Sequence, residues 1–219
     1  MSTIQPGRVN TPPAHQAPNP AAPVPRTEPS EAFAPGRGEV ITDLDRIRQL
    51  KQQLESQPDA HIVVSACLAG FNVRYDGGNC NTDNLRTLVE SGKAIPVCAE
   101  VLGGLSTPRT PSEIQGGDGL QVLQGKARVE TKLGQDITDN FTRGADIALK
   151  TALQAAAGGQ ILFAVLKSKS PSCGVGSIYD GGFAGGLKPG DGIATTRFRD
   201  AGIDVISSDN WRLATEGEN

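Results

Sequence analysis

The chain has 219 residues and a mass of 22.8 kDa, a size that suits one folded domain with an appendage. Its net charge is −3, and from residue 59 onward 15 Lys and Arg stand against 18 Asp and Glu, so strong binding to a polyanion is not predicted. No apolar run is long enough to span a membrane, and residues 1–30 lack the basic-then-apolar pattern of a signal peptide, so a cytoplasmic location is expected.

The N-terminal segment is rich in proline. Nine of the 15 prolines lie between Pro6 and Pro35, and Phe33 is the only aromatic residue there. Such a segment buries too little apolar surface to offset the entropy of ordering it. We therefore predict four parts: a disordered tail over residues 1–39, an accessory helix over 40–57, a folded domain over 58–210 and a C-terminal tail over 211–219.

Strand-like and helix-like patterns alternate after the tail. Apolar residues spaced three or four apart predict helices over residues 42–56 and 136–156, and shorter helices are expected over 82–91 and 193–200. Short β-branched runs predict buried strands over residues 61–66, 94–97, 161–166 and 203–207. Two further runs are expected to pair as a hairpin, 121–124 and 127–131. The alternation predicts a Rossmann-like, three-layer α/β fold: an open, mostly parallel sheet of four to five strands with helices on both faces.

Three cysteines follow predicted strands. Cys67 and Cys98 are the first residues after their strands, and Cys173 lies in the loop that leaves strand 161–166. Ligands of open α/β sheets bind outside the carboxyl ends of the strands, so the three thiols are expected to share one edge of the sheet. For each cysteine taken alone, the alternative is a small buried apolar side chain.

The donor set favours a cofactor bound by thiolates. The predicted domain has one histidine, His61, at the opposite edge of the sheet, and cytosolic cysteines are rarely paired in disulfides. Zinc and iron–sulfur clusters remain, and structural zinc usually needs close Cys-x-x-Cys pairs, which this chain lacks. Three separated thiolates suit a cubane cluster with one iron that has no protein ligand. Cys80 is either a fourth ligand or, as we favour, a bystander.

Three motifs around these cysteines resemble one bacterial family. The motifs are SACLAGFNVRYDGG, PVCAEVLGGLSTPR and SPSCGVGSIYDGGFAG, and the similarity runs from about His61 to Ser207. They look like the thiouracil desulfurases, also called desulfidases, which were earlier known only as a domain of unknown function. The resemblance implies a [4Fe-4S] cluster held by Cys67, Cys98 and Cys173, with one iron not ligated by protein.

The resemblance also implies roles for residues beside the cysteines. Glu100 and Ser170 correspond to a glutamate and a serine that are catalytic in the family. The chain departs from the family at Ala99 and Ser106, where proline is common. Three residues in the loops after the cysteines either orient the substrate or belong to solvated turns: Arg74, Tyr75 and Arg109.

Together these features predict a hydrolytic, non-redox desulfuration. A thiolated pyrimidine (2-thiouracil, 4-thiouracil or a thiouridine derivative) would give the carbonyl base and sulfide. The near-neutral charge favours a free base or nucleotide over a thiolated base in tRNA. Two alternatives stay open: a structural or redox-sensing module that binds zinc or a cluster, and a carrier that holds sulfur as a persulfide. The sequence predicts no oligomeric state.

Overall fold

Helices and strands alternate along the folded part of the chain. The computed structural model describes residues 36–216, and the predicted disordered tail lies outside them up to residue 35. In chain order the elements are α1 (Leu44–Ser56), β1 (Ala60–Ser65), α2 (Asp83–Glu90), β2 (Ala94–Val97), α3 (Ala99–Leu102), β3 (Ser112–Gln115), α4 (Gly119–Leu123), β4 (Arg128–Thr131), α5 (Thr138–Ala155), β5 (Gln160–Leu166), β6 (Ser177–Tyr179), β7 (Leu187–Pro189), α6 (Ile193–Asp200), β8 (Asp204–Ser207) and α7 (Ser208–Thr215).

Four parallel strands form the central sheet in the order β2-β1-β5-β8. Alternate residues of each strand point to opposite faces. Val63 and Val205 pack with α3, α5 and α6 on one face, while Ile62, Phe163 and Ile206 pack with α1, α2 and α7 on the other. The predicted three-layer α/β fold is therefore confirmed. Among residues 36–216, no helix combines the length and the apolar character needed to cross a membrane.

The predicted hairpin over residues 121–124 and 127–131 is wrong. The first run lies in helix α4, because Asp118 accepts hydrogen bonds from the backbone N–H groups of Leu120 and Gln121, and the Gln121 side chain returns a bond to the Asp118 N–H. This capping box starts a helix where apolar alternation alone indicated a strand. Strand β4 pairs antiparallel with β3 instead.

Both predicted tails, residues 1–39 and 211–219, include residues that belong to the folded part of the chain. Residues 39–41 run along β8, where the Val205 N–H donates to the Glu39 carbonyl and the Ile41 N–H to the Val205 carbonyl, at 2.8 and 2.9 Å. At the other end, residues 211–215 complete helix α7, and the Trp211 side chain is fully buried. α7 packs against α1, so these terminal elements belong to the folded unit.

Replacing Trp211 with alanine is expected to lower the free energy of unfolding by about 3–5 kcal/mol, because it empties a large buried site. The indole N–H also donates to Asn84 Oδ1 at 3.0 Å, and the ring lies 5.9 Å from Phe163 between centroids. Urea unfolding at matched iron content measures the change. Leu213→Ala is the control, since Leu213 on the same helix is 62% exposed, and equal losses for the two variants would contradict the expectation.

Candidate functional site

The carboxyl ends of β1, β2 and β5 border a cavity of about 360 Å³. Cys67, Cys98 and Cys173 all line this cavity, as do both residues that the resemblance marks as catalytic, Glu100 and Ser170. The three residues considered for substrate contact also line it: Arg74, Tyr75 and Arg109. The structure thus brings together every residue that the sequence analysis placed in the site. Cys80 is not among the residues that line the cavity.

A tight turn presents Cys67 to the cavity. Directly after β1 the chain makes one 3-10 turn, Ala66–Ala69, which ends at Gly70 with φ at +89°. An L-residue with a side chain rarely adopts that backbone conformation, so glycine allows the chain to turn away there. The Cys80 N–H then donates to the Cys67 carbonyl at 2.9 Å, which fixes the following loop beside the turn.

Cys98 and Glu100 are positioned by the short helix α3. Cys98 is its N-cap and Ala99 its first residue, a position where proline is favourable, so the alanine stands where the family's proline would also fit. α3 lies directly on α5, because a Cβ added to Gly144 would overlap the Ala99 carbonyl oxygen. This close packing fixes the direction in which Cys98 and Glu100 leave β2.

Arg109 holds the Glu100 carboxylate. The Nε and one terminal nitrogen of Arg109 both lie 2.7 Å from Glu100 Oε2. The remaining donors of the guanidinium bind the carbonyls of Val73 and Ser106 and the hydroxyl of Thr107. Arg109 and Glu100 side chains are only 9% and 16% exposed, so this ion pair is shielded from water. The geometry directs Arg109 at Glu100 rather than at a substrate.

The turn that carries Cys173 is organised by Ser170. The Ser170 hydroxyl oxygen accepts hydrogen bonds from the backbone N–H groups of Ser172 and Cys173, at 3.0 and 3.1 Å. Such local side-chain bonds stabilise a turn where no strand or helix supplies partners. Because both bonds use the oxygen as acceptor, the hydroxyl hydrogen remains available to donate.

The thiols of the site lie close enough to influence one another. Burial, together with Cys173, Cys80 and Cys98 nearby, raises the pKa of the Cys67 thiol to about 12. Burial also raises the pKa of Cys173 to about 12 and raises the pKa of Cys98. Reactive, carrier-type cysteines show the opposite shift. A thiolate at these positions is therefore disfavoured unless a positive charge lies nearby.

Arg74 and Tyr75 form the rim of the cavity on the side of the loop after Cys67. The Arg74 guanidinium contacts both carboxylate oxygens of Asp76, lies 2.7 Å from Cys80 Sγ, and stands 5.6 Å from the centroid of the Tyr75 ring. The Cys80 sulfur is thus in contact with the positively charged side chain of Arg74. Tyr75 is 45% exposed, which leaves its ring accessible from the cavity.

The donor set of the cavity suits an iron–sulfur cluster. Among residues 36–216, no three His, Cys, Asp or Glu side chains converge closely enough to hold a single ion. Cys67, Cys98 and Cys173 nevertheless line one cavity from three separate strand ends. Cysteine thiolates are the usual protein ligands of iron–sulfur clusters, so these three residues could hold one.

The family model of the 2-thiouracil desulfurases matches residues 62–210. The chain belongs to this family. The resemblance drawn from the three cysteine motifs is thereby confirmed, and the match spans the sheet and its site. Helix α1 and the segment before it lie outside the matched range.

Two relatives of this desulfurase family member support the assignment. An uncharacterized protein, YbbK, of Bacillus subtilis (strain 168) is 43% identical over 146 residues, which are 67% of this chain and 94% of the relative. A solved structure of the [4Fe-4S]-dependent thiouracil desulfidase TudS is 42% identical, with a TM-score of 0.60, and the match covers 72% of this chain and 96% of that chain.

The sequence analysis overlooked a buried carboxylate that lines the cavity. Glu113 of β3 lines the cavity and is 7% exposed. No cysteine motif contains it, and a four-residue strand does not reveal which way its side chains point. The signal available in the sequence was a lone glutamate between Ser112 and Ile114, which is typical of many surface strands.

Proposed function

We propose that the protein removes the thiocarbonyl sulfur of a small thiolated pyrimidine by hydrolysis, using a [4Fe-4S] cluster held by Cys67, Cys98 and Cys173. The reaction exchanges C=S for C=O: water supplies the oxygen, sulfur leaves as sulfide, and no electron is gained or lost. The observation that carries the proposal is the shared cavity, which three cysteines line together with Glu100 and Ser170.

The bound cluster would supply an iron without a protein ligand, a Lewis acid with high affinity for sulfur. This assignment uses three of the four cysteines. Cys80 does not line the cavity and its sulfur contacts Arg74, which supports three protein ligands rather than four.

Glu100 is the group placed to activate water. Arg109 donates its hydrogen bonds to Oε2, and no donor within residues 36–216 forms a hydrogen bond with Oε1. Oε1 can therefore take a proton from a water molecule that attacks the thiocarbonyl carbon. Arg109 acts as a positioning residue, because its fixed guanidinium holds the carboxylate in one orientation.

Ser170 is placed to donate a hydrogen bond to the substrate. Its oxygen is held by two backbone N–H groups, so its hydrogen is directed away from the turn and can stabilise negative charge that develops on the ring during attack. The cavity of about 360 Å³ is at the small end of ligand sites and would hold the cluster as well, so the substrate it suits is no larger than a single pyrimidine ring.

The test is an anaerobic incubation with 2-thiouracil in water enriched in oxygen-18, with uracil and sulfide measured over time. We expect equal amounts of uracil and sulfide, with one labelled oxygen in each uracil. Metal analysis of the same preparation is expected to show about four irons and inorganic sulfide.

Other results would contradict the proposal. One zinc and no inorganic sulfide would indicate a structural module. Sulfur retained on the protein as a persulfide, without free sulfide, would indicate a carrier. Uracil without the label would show that water is not the source of the oxygen.

A further inference from the structure

Glu113 is a buried carboxylate in the proposed active site for which the cysteine motifs provide no role. It is 7% exposed and lines the same cavity as Cys67, Cys98 and Cys173. A carboxylate is rarely buried unless its oxygens find partners, so the partners of Glu113 show what the residue can do.

One oxygen of Glu113 is satisfied by the protein. Oε2 accepts hydrogen bonds from the backbone N–H groups of Gly181 and Phe183, at 2.9 and 3.1 Å. Both donors belong to the loop of the β6–β7 hairpin. The side chain of Gln115, on the same strand as Glu113, also reaches this loop and donates to the Gly181 carbonyl at 2.9 Å. The carboxylate of Glu113 is therefore fixed in one orientation.

The other oxygen of Glu113 is left for a ligand. No donor within residues 36–216 reaches Oε1, and Oε1 is not among the fully enclosed side-chain atoms of that range that lack a hydrogen-bond partner. Oε1 therefore borders accessible space, and the cavity is the space that Glu113 lines. The site thus presents a fixed acceptor to whatever ring occupies it.

We infer that Glu113 Oε1 accepts a hydrogen bond from the ring N3–H of the substrate and thereby selects uracil-type rings over cytosine-type rings. The inference rests on the proposed function and extends it to substrate choice. N3 lies between C2 and C4, so it neighbours the thiocarbonyl of both 2-thiouracil and 4-thiouracil. In 2-thiocytosine, N3 carries a lone pair instead of hydrogen, and two acceptors would face each other.

A buried acceptor that meets another acceptor discriminates strongly, since a charged oxygen is left without a partner. We expect the wild-type protein to favour 2-thiouracil over 2-thiocytosine by at least about 100-fold in kcat/KM. On the substrate side, 3-methyl-2-thiouracil, which lacks the N3 hydrogen, is expected to be at least about 100-fold poorer than 1-methyl-2-thiouracil, which keeps it.

Glu113→Gln tests the residue directly. The two backbone N–H groups at Oε2 can bond only the amide oxygen, so the amide NH2 must take the place of Oε1. The position then changes from an acceptor to a donor. We expect the ratio of kcat/KM for 2-thiouracil over 2-thiocytosine to fall by at least about 10-fold, with iron content unchanged.

Gln115→Ala is the matched control, because Gln115 holds the same hairpin loop and does not line the cavity. Its selectivity ratio is expected to match wild type even if its turnover falls. The inference is overturned if Glu113→Gln keeps the wild-type ratio within about twofold, if both variants shift it equally, or if the two methylated substrates react equally well. Failure of wild type to desulfurate 2-thiouracil at all would instead overturn the proposed function.

Discussion

Replacing Cys67, Cys98 or Cys173 singly with serine is expected to abolish turnover and to remove most of the bound iron. The three thiols approach one cavity from different strand ends, so each would hold a separate corner of the cluster. Serine is nearly isosteric but offers no thiolate, the group by which proteins usually hold iron–sulfur clusters. Iron and inorganic sulfide per chain, the visible absorption of the cluster, and uracil formation measure the effect.

Cys80→Ser is the matched control for the three ligand variants. Cys80 is also a partly buried cysteine near Cys67, but it does not line the cavity. We expect it to keep wild-type iron content and turnover. A persulfide carrier would behave differently, since only its one nucleophilic cysteine would be essential. Loss of activity at a single one of the three positions, with iron retained at the other two, would therefore contradict the cluster assignment.

Replacing Glu100 with glutamine is expected to lower kcat by about 10²–10⁴-fold while iron and inorganic sulfide stay at wild-type levels. Glutamine keeps the size of the side chain and an oxygen that Arg109 can contact, but it does not accept a proton from water. The loss therefore reports on chemistry rather than on cluster assembly. Steady-state turnover of 2-thiouracil and metal analysis on the same samples separate the two effects.

Glu90→Gln controls for the loss of a glutamate from an ion pair with arginine. Glu90 pairs with Arg86 at 2.9 Å, and both side chains are about 60% exposed. Surface pairs of this kind contribute little to stability, so turnover is expected to match wild type. If Glu100→Gln retained more than about a tenth of wild-type kcat, a general-base role for Glu100 would be excluded.

The cysteines could be placed at one edge of the sheet from the sequence, because that placement depends on the direction of the strands and not on their order in the sheet. Any parallel arrangement of the runs 61–66, 94–97 and 161–166 delivers the following residues to the same edge, and the structure places Cys67, Cys98 and Cys173 there. The prediction needed no knowledge of which strand neighbours which. Apolar β-branched runs were enough to identify the strands themselves.

Features that depend on contacts between distant segments could not be predicted in the same way. Arg109 was expected either to meet the substrate or to lie in a solvated turn, and only the folded loop shows that its guanidinium reaches Glu100. Glu113 belongs to the site because β3 packs beside the β6–β7 hairpin, a contact between segments that the sequence does not reveal. The helix at Asp118 could have been predicted, because the capping residues are local and stand in the sequence.

The segment along β8 protects one edge of the central sheet from pairing with another copy of this protein. An uncovered strand at the margin of a sheet is a template for intermolecular pairing and aggregation. Residues 39–41 occupy that place beside β8, and at the opposite margin Pro96 of β2 removes one backbone donor. Both edges of the four-stranded sheet are thereby protected from pairing with a strand of another molecule. Deletion of the residues before α1 is expected to uncover the β8 edge and to cause self-association.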